Sequence, residues 1–141
     1  MTPSAAAHGP EVVAYVDGGA RGNPGPAGYG VRIEAPDRTL VEEFCESIGV
    51  ATNNVAEYRG LLLGLERARA LGADEVEVIN DSELVAKQVN GVYKVKHEAM
   101  RPLYLDAMKA LRAFASWSIR TVPRAQNRRA DALVNEALDN A

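Results

Sequence analysis

The chain has 141 residues, 47% of them hydrophobic and 25% charged, with a formal net charge of −3. That length suits one domain with its own core, and no apolar stretch approaches the roughly 20 residues of a membrane-spanning helix. The single cysteine, Cys45, excludes an internal disulfide, and with only two histidines beside it most zinc sites are excluded as well.

A metal in this chain would be held by oxygen, which favours Mg²⁺ or Mn²⁺. The lone thiol suits a reducing, cytoplasmic compartment. Residues 1–10, MTPSAAAHGP, lack the basic and apolar regions of a signal peptide and read as a disordered extension. Residues 11–141 read as one domain, and with no apolar stripe left over a monomer is the default.

Val12–Val16 is an apolar run short enough to be a buried strand. Asp17 interrupts it, where a carboxylate is costly to hide without a partner. A turn rich in Gly and Pro follows, from Gly18 to Pro26. An acid on a rigid strand beside such a turn is a metal position; read alone, it is more simply an Asp opening a hairpin. Tyr29–Glu34 alternates as a half-buried strand, residues 35–38 make a hairpin turn, and Thr39–Ile48 is a third strand suited to a sheet edge.

The clearest helix follows residues 49–53. Tyr58, Leu61, Leu62, Leu65 and Ala68 fall at helical spacing, Gly60 and Gly64 allow close packing on the sheet, and Leu71-Gly72 closes it. Glu75–Asn80 is a fourth strand, and a short helix through Leu84–Val89 ends at Asn90-Gly91. A basic, aromatic segment spans residues 92–97. A helix from Glu98 to Ala115, a fifth strand at Ser116–Val122, a basic loop at Pro123–Arg129 and a last helix to Leu138 complete the chain. The class is α/β: an antiparallel meander followed by βαβ units, giving a mixed five-stranded sheet with helices packed on it.

Charge is unevenly spread. Residues 1–79 carry a net −6 and residues 80–141 a net +3, with all four lysines in the second part. Nucleic-acid contact and a solvated helix face explain this equally well. The acids are more telling. Asp17 is on the first strand, Glu57 on the first helix, Asp81 ends the fourth strand and Asp131 begins the last helix. Parallel pairing of strands one and four would set Asp17 beside Asp81, with Glu57 reaching them from the helix. Each has a local alternative: Asn54-x-x-Glu57 as a capping box, Asp81 as an N-cap, Asp131 as a dipole partner. Clustered, two carboxylates about 4 Å apart repel by about 4 kcal/mol at an effective dielectric of 20. A pair of divalent ions reverses that sign and is the arrangement of in-line phosphoryl chemistry.

The stretches YVDGGARGNPGPAGYG (15–30), ATNNVAEYRGLLLGL (51–65), INDSELVAKQVNG (79–91) and VPRAQNRRADALVNEA (122–137) together resemble type I ribonucleases H, in the short bacterial and archaeal form. The resemblance covers residues 12–139. It implies a ribonuclease H-like fold with helices on both faces of the sheet. It also implies a metal-dependent endonuclease that cuts the RNA strand of RNA–DNA hybrids, leaving 3′-hydroxyl and 5′-phosphate ends, with two Mg²⁺ (or Mn²⁺) ions per site. Asp17, Glu57, Asp81 and Asp131 match the family's metal-binding, catalytic acids. Gly18, Asn23, Asn53 and Asn54 match positions that contact the hybrid, and Thr52 one that holds a DNA phosphate.

Three departures stand out. Glu83 occupies a substrate position where many relatives have Gln. The long basic protrusion is absent; Tyr93, Lys94, Lys96 and His97 remain where it would attach, the first three as substrate contacts. No histidine lies after His97, where many relatives have a loop histidine before the fourth acid; Arg124 is the nearest counterpart, and it binds phosphate without shuttling protons. Arg128 and Arg129 are left to substrate or to water. The alternatives are a broader nuclease that also cuts double-stranded RNA, a non-catalytic hybrid-binding module, and a transposase, resolvase or exonuclease relative. The Asn53-Asn54 pair and the Gly-Asn-Pro-Gly turn argue against the last of these.

Overall fold

The computed structural model describes residues 11–141; the disorder expected for residues 1–10 lies outside them. In chain order the elements are β1 (Glu11–Ala20), β2 (Gly25–Glu34), β3 (Leu40–Ala51), α1 (Asn53–Ala70), β4 (Glu75–Asn80), α2 (Glu83–Val89), α3 (Arg101–Leu111), β5 (Ser116–Thr121), a 3-10 turn (Arg124–Gln126) and α4 (Arg128–Asp139). The sheet order is β3-β2-β1-β4-β5. The first three strands pair antiparallel, while β4 runs parallel to β1 and β5 parallel to β4. The apolar run of β1 is therefore the centre of a mixed sheet, where both neighbours satisfy its backbone.

One face of the sheet packs under α1. Val12, Ala14 and Val16 of β1 and Tyr29, Val31 and Ile33 of β2 are buried with Tyr58, Leu61, Leu65 and Ala68. The two helix glycines explain how closely the layers meet. A Cβ at Gly60 would lie 2.8 Å from the Asp17 carbonyl oxygen, and one at Gly64 would lie 2.9 Å from Val16 Cγ1. The opposite face carries α4: a Cβ at Gly30, next to Val31 and so pointing the other way, would lie 2.5 Å from Leu133 Cβ. Helices thus cover both faces, and α1 and α4 bring their N-terminal turns to one end of β1.

Three boundaries differ from the sequence reading. The Gly-rich stretch is mostly strand: β1 runs on to Ala20, paired with Ala27, and β2 begins at Gly25. Gly is tolerated there because a neighbouring backbone comes close; a Cβ at Gly18 would collide with the Ala56 carbonyl. The helix expected from Glu98 to Ala115 is shorter, Arg101–Leu111, with Pro102 in its opening turn, where a missing N–H costs nothing. The third strand is longer, reaching Ala51. Gly72 closes α1 with φ +85. Among the described residues no helix is long and apolar enough to cross a membrane.

Candidate active site

The β1–β4 ladder ends at the pair Tyr15–Ile79. Two residues further along each chain stand Asp17 and Asp81. Glu57, in the second turn of α1, comes from the helix seated on β1. The three carboxylates each offer an oxygen, and these lie within 4.8 Å of one another. Asp17 is 4% exposed; Glu57 and Asp81 are half-buried. Gly18 N–H donates to Asp17 Oδ1 at 2.9 Å.

Such crowding shifts proton affinities. Burial, then the Asp81 charge, push the Asp17 carboxyl up to about 7, against hydrogen bonds from Glu57 and the Gly18 N–H. Glu57 is raised well above the usual carboxylate range by burial, then by Asp17 and Asp81. Oxygen donors set this close, and retaining protons for want of positive charge, are the chemistry that accepts a hard divalent cation.

Local hydrogen bonds remove the simpler accounts of these acids. Thr52, not Asn54, is the N-cap of α1, accepting from Val55 N–H at 3.2 Å. Ser82, not Asp81, caps α2, accepting from Val85 N–H at 3.2 Å. Neither Glu57 nor Asp81 is used up in capping. Asp131 lies in the first turn of α4, outside the group of three, and accepts from Arg124 at 3.0 Å.

These acids line a cleft of about 580 Å³, together with Gly18, Asn53, Asn54 and Arg124. Asn53 Oδ1 accepts from Ala20 N–H at 2.8 Å, and Asn23 Oδ1 accepts from Asn53 N–H at 3.0 Å. These bonds tie the hairpin tip to the start of α1. They also commit the amide oxygens and leave NH₂ groups, which only donate, for acceptors such as a ribose 2′-oxygen or a base edge.

Four candidates lie elsewhere. Glu83 is on α2 in an ion pair with Lys87 at 2.5 Å. Tyr93, Lys94 and Lys96 line a separate groove of about 560 Å³ with Arg101 and Tyr104. Asn23 and Thr52 support the cleft without lining it. Arg129, left open between substrate and water, instead grips Glu43.

Arg21, Ser82 and Asn135 also line the cleft and escape a sequence reading. Arg21 sits inside the Gly/Pro turn, where it reads as a solvated turn residue; it donates to Asp139 at 2.7 Å and to Asn135 at 3.5 Å. Asn127 is 1% exposed, although it falls in a run read as a polar loop. Nothing in its neighbours' composition marks it as buried.

A family model described as "Reverse transcriptase-like" matches residues 15–137. Ribonuclease HI of Halobacterium salinarum is 47% identical over 133 residues, covering 94% of this chain and 67% of its own length. The crystal structure of RNase H1 from that archaeon matches with a TM-score of 0.91, over 93% of this chain and 99% of the other.

The chain belongs to the ribonuclease H family.

Its ribonuclease H fold is the one the sequence motifs implied, the mixed sheet included. A bifunctional protein of Mycobacterium tuberculosis is 49% identical over 93% of this chain, and the chain spans 36% of that protein's length. LC11-RNase H1, solved in complex with an RNA/DNA hybrid, is 42% identical with a TM-score of 0.87, over 92% of this chain and 97% of its own.

Proposed function

We propose that the protein is a metal-dependent endonuclease that hydrolyses the RNA strand of RNA–DNA hybrids, leaving 3′-hydroxyl and 5′-phosphate ends. The observation that carries this is the convergence of Asp17, Glu57 and Asp81 from three separate elements, with oxygens within 4.8 Å of one another in a cleft walled by Asn53 and Asn54. Family membership and the hybrid-bound relative support the substrate.

Asp17, Glu57 and Asp81, joined by Asp131, are the residues that would hold two Mg²⁺ or Mn²⁺ ions with substrate. When bound, such ions supply activation of the attacking water and charge stabilisation at the leaving oxygen. The chain's own part is positioning. The Asn53 and Asn54 amides donate into the minor groove, where 2′-hydroxyls mark the RNA strand. Gly18, lacking a side chain, lets the backbone approach a ribose. Arg124, 77% exposed on its side chain, is free to exchange Asp131 for a phosphate oxygen. We place Thr52 at a DNA phosphate and assign Tyr93, Lys94 and Lys96 the outer part of the hybrid. The protein acts as a cytoplasmic monomer in this reading.

The test is cleavage of one sequence presented as hybrid, double-stranded RNA, single-stranded RNA and double-stranded DNA, in Mg²⁺, Mn²⁺ or EDTA. Cutting confined to hybrid RNA, and lost in EDTA and in Asp17→Asn, supports the proposal. Equal cutting of double-stranded RNA replaces it with the broader nuclease. Tight hybrid binding without cutting leaves a binding module.

A further inference from the structure

The first turn of α4 carries Asp131, and Asn127, which precedes it, makes no side-chain cap. Ala130 of this turn is buried over Gly30 of β2, and side chains tie the turn to the sheet at two further points. On its inner side Asn127 donates Nδ2–H to the Val16 carbonyl at 2.9 Å, one residue before Asp17. The Asn127 carbonyl in turn accepts from Asp131 N–H at 3.1 Å. On its outer side Arg129 forks onto Glu43 of edge strand β3, Nε to Oε2 at 2.8 Å and a terminal nitrogen to Oε1 at 2.5 Å.

The outer contact is more than a surface ion pair. Glu43 is held from its other side by Arg32 at 2.9 Å, and Arg32 by Glu34 at 2.6 Å. The Glu43 side chain is only 18% exposed. Exposed single pairs contribute little because two long side chains must be immobilised in water. Here the fork is bidentate and its carboxylate is already fixed by a second arginine, so Arg129 alone loses freedom. The remaining partner of Asp131, Arg124, is 77% exposed and follows the acid rather than fixing it.

We propose that Glu43 and Arg129 form a positioning pair for Asp131, clamping the first turn of α4 to the sheet edge so that this acid faces the Asp17–Glu57–Asp81 cluster. Without the pair the turn keeps its packing over Gly30 of β2 and the Asn127 contact, but loses its tie to the edge strand. The proposal rests on the reading of Asp131 as a metal-site acid. Neither Glu43 nor Arg129 lines the cleft, so their effect on the chemistry passes through the acid they place.

The test uses Glu43→Gln, Arg129→Gln, the double variant, and Asp131→Asn as a control. Calorimetric titration of Mg²⁺ and Mn²⁺ into each protein is read beside kcat and KM on hybrid. Metal affinity and kcat should each fall about tenfold in both single variants, the usual cost of losing an outer partner of a metal site, with KM within twofold of wild type. The double variant should be no worse than the weaker single, because one contact is lost either way. Melting temperature identifies any variant that fails to fold, in which case Arg129→Lys, which keeps the charge but not the fork, replaces it. Folded variants with unchanged metal affinity and kcat overturn the proposal, as does a loss confined to melting temperature. If Asp131→Asn itself leaves metal affinity and kcat intact, the reading of Asp131 fails instead.

Discussion

Asp17 and Asp81 occupy equivalent places on two parallel neighbours, each two residues beyond the last paired residues of the ladder, Tyr15 and Ile79. Parallel pairing makes that equivalence unavoidable, since strands running the same way present the same end of each to one edge of the sheet. The two acids are brought together by topology, and Glu57 is added by a helix held tightly enough to reach them.

Removing one of these charges separates function from stability. Asp17→Asn or Asp81→Asn should take cleavage of hybrid RNA to background. In metal-free buffer the same variants should be more stable than wild type by about 1–3 kcal/mol, because repulsion between the remaining carboxylates falls. Denaturation in EDTA and a cleavage assay in Mg²⁺ check both halves. A variant that unfolds, or one that cuts at the wild-type rate, refutes the assignment.

The pH dependence of metal-free stability should have two limbs of opposite sign. Asp17 is raised in the fold to about 7 from 3.8. Between those values the unfolded chain ionises while the folded one keeps its proton, so stability falls as pH rises and the full cost is present above about 7. Glu43 is held down to about 2 from 4.5, first by the Arg129 hydrogen bond and also by Arg32. Its contribution is complete above about 4.5 and is lost as pH falls towards 2. Thermal melts across this range should show Asp17→Asn flattening the upper limb and Glu43→Gln the lower. Stabilisation by added Mg²⁺ should grow with pH across the upper limb, since protons and cations compete for the same oxygens.

Two adjacent glycines should respond differently to alanine. At Gly18 the new Cβ would meet the Ala56 carbonyl and the Glu57 N–H, which are backbone and cannot step aside without moving α1. Gly18→Ala should therefore cost about 3 kcal/mol or more and displace Glu57 with the helix. At Gly19 the nearest atoms, Val134 Cγ1 and Asn53 Oδ1, are 3.8 and 3.9 Å away. Gly19→Ala should stay within about 0.5 kcal/mol of wild type. Equal losses in chemical denaturation would show that the contact of α1 with β1 is not the constraint.

The neighbouring asparagines should separate as well. Asn53→Ala deletes the acceptor for Ala20 N–H and should cost about 1 kcal/mol of stability along with hybrid affinity. Asn54→Ala should weaken hybrid binding while leaving stability and metal affinity near wild type. Binding isotherms on hybrid, paired with metal titrations, distinguish them. Equal losses of hybrid and metal affinity in Asn54→Ala would mean that its role is to place α1 rather than to touch the substrate.

Much of the fold was legible because its signals are local. The alternation of Tyr29, Val31 and Ile33, the helical spacing of Tyr58, Leu61 and Leu65, and the Gly72 stop each depend on near neighbours. The boundaries that moved were those where a distant backbone overrides local preference. Gly18 and Gly19 read as turn, but the close approach of α1 keeps them in the strand. The helix ending at Leu111 was overextended because apolar spacing continues through Phe114, while the chain turns to bring Ala115 N–H onto the Asp74 carbonyl at 2.8 Å.

The site divides the same way. Chain order and residue type by themselves determined four acids on two strands and two helices, the Asn pair at a helix start, and the oxygen-donor character that selects a hard cation. Only the tertiary structure decided that Asp17, Glu57 and Asp81 form one cluster while Asp131 stands beside it on an ion pair with Arg124. It alone showed that Glu83 and the basic segment at 93–96 lie away from that cluster, and that Asn127 and Arg129 are anchors rather than loop polarity. The physical reason is range. Strand and helix signals act over a few residues, whereas the contact of Arg129 with Glu43 joins positions 86 apart in the chain and exists only once β3 and α4 have packed.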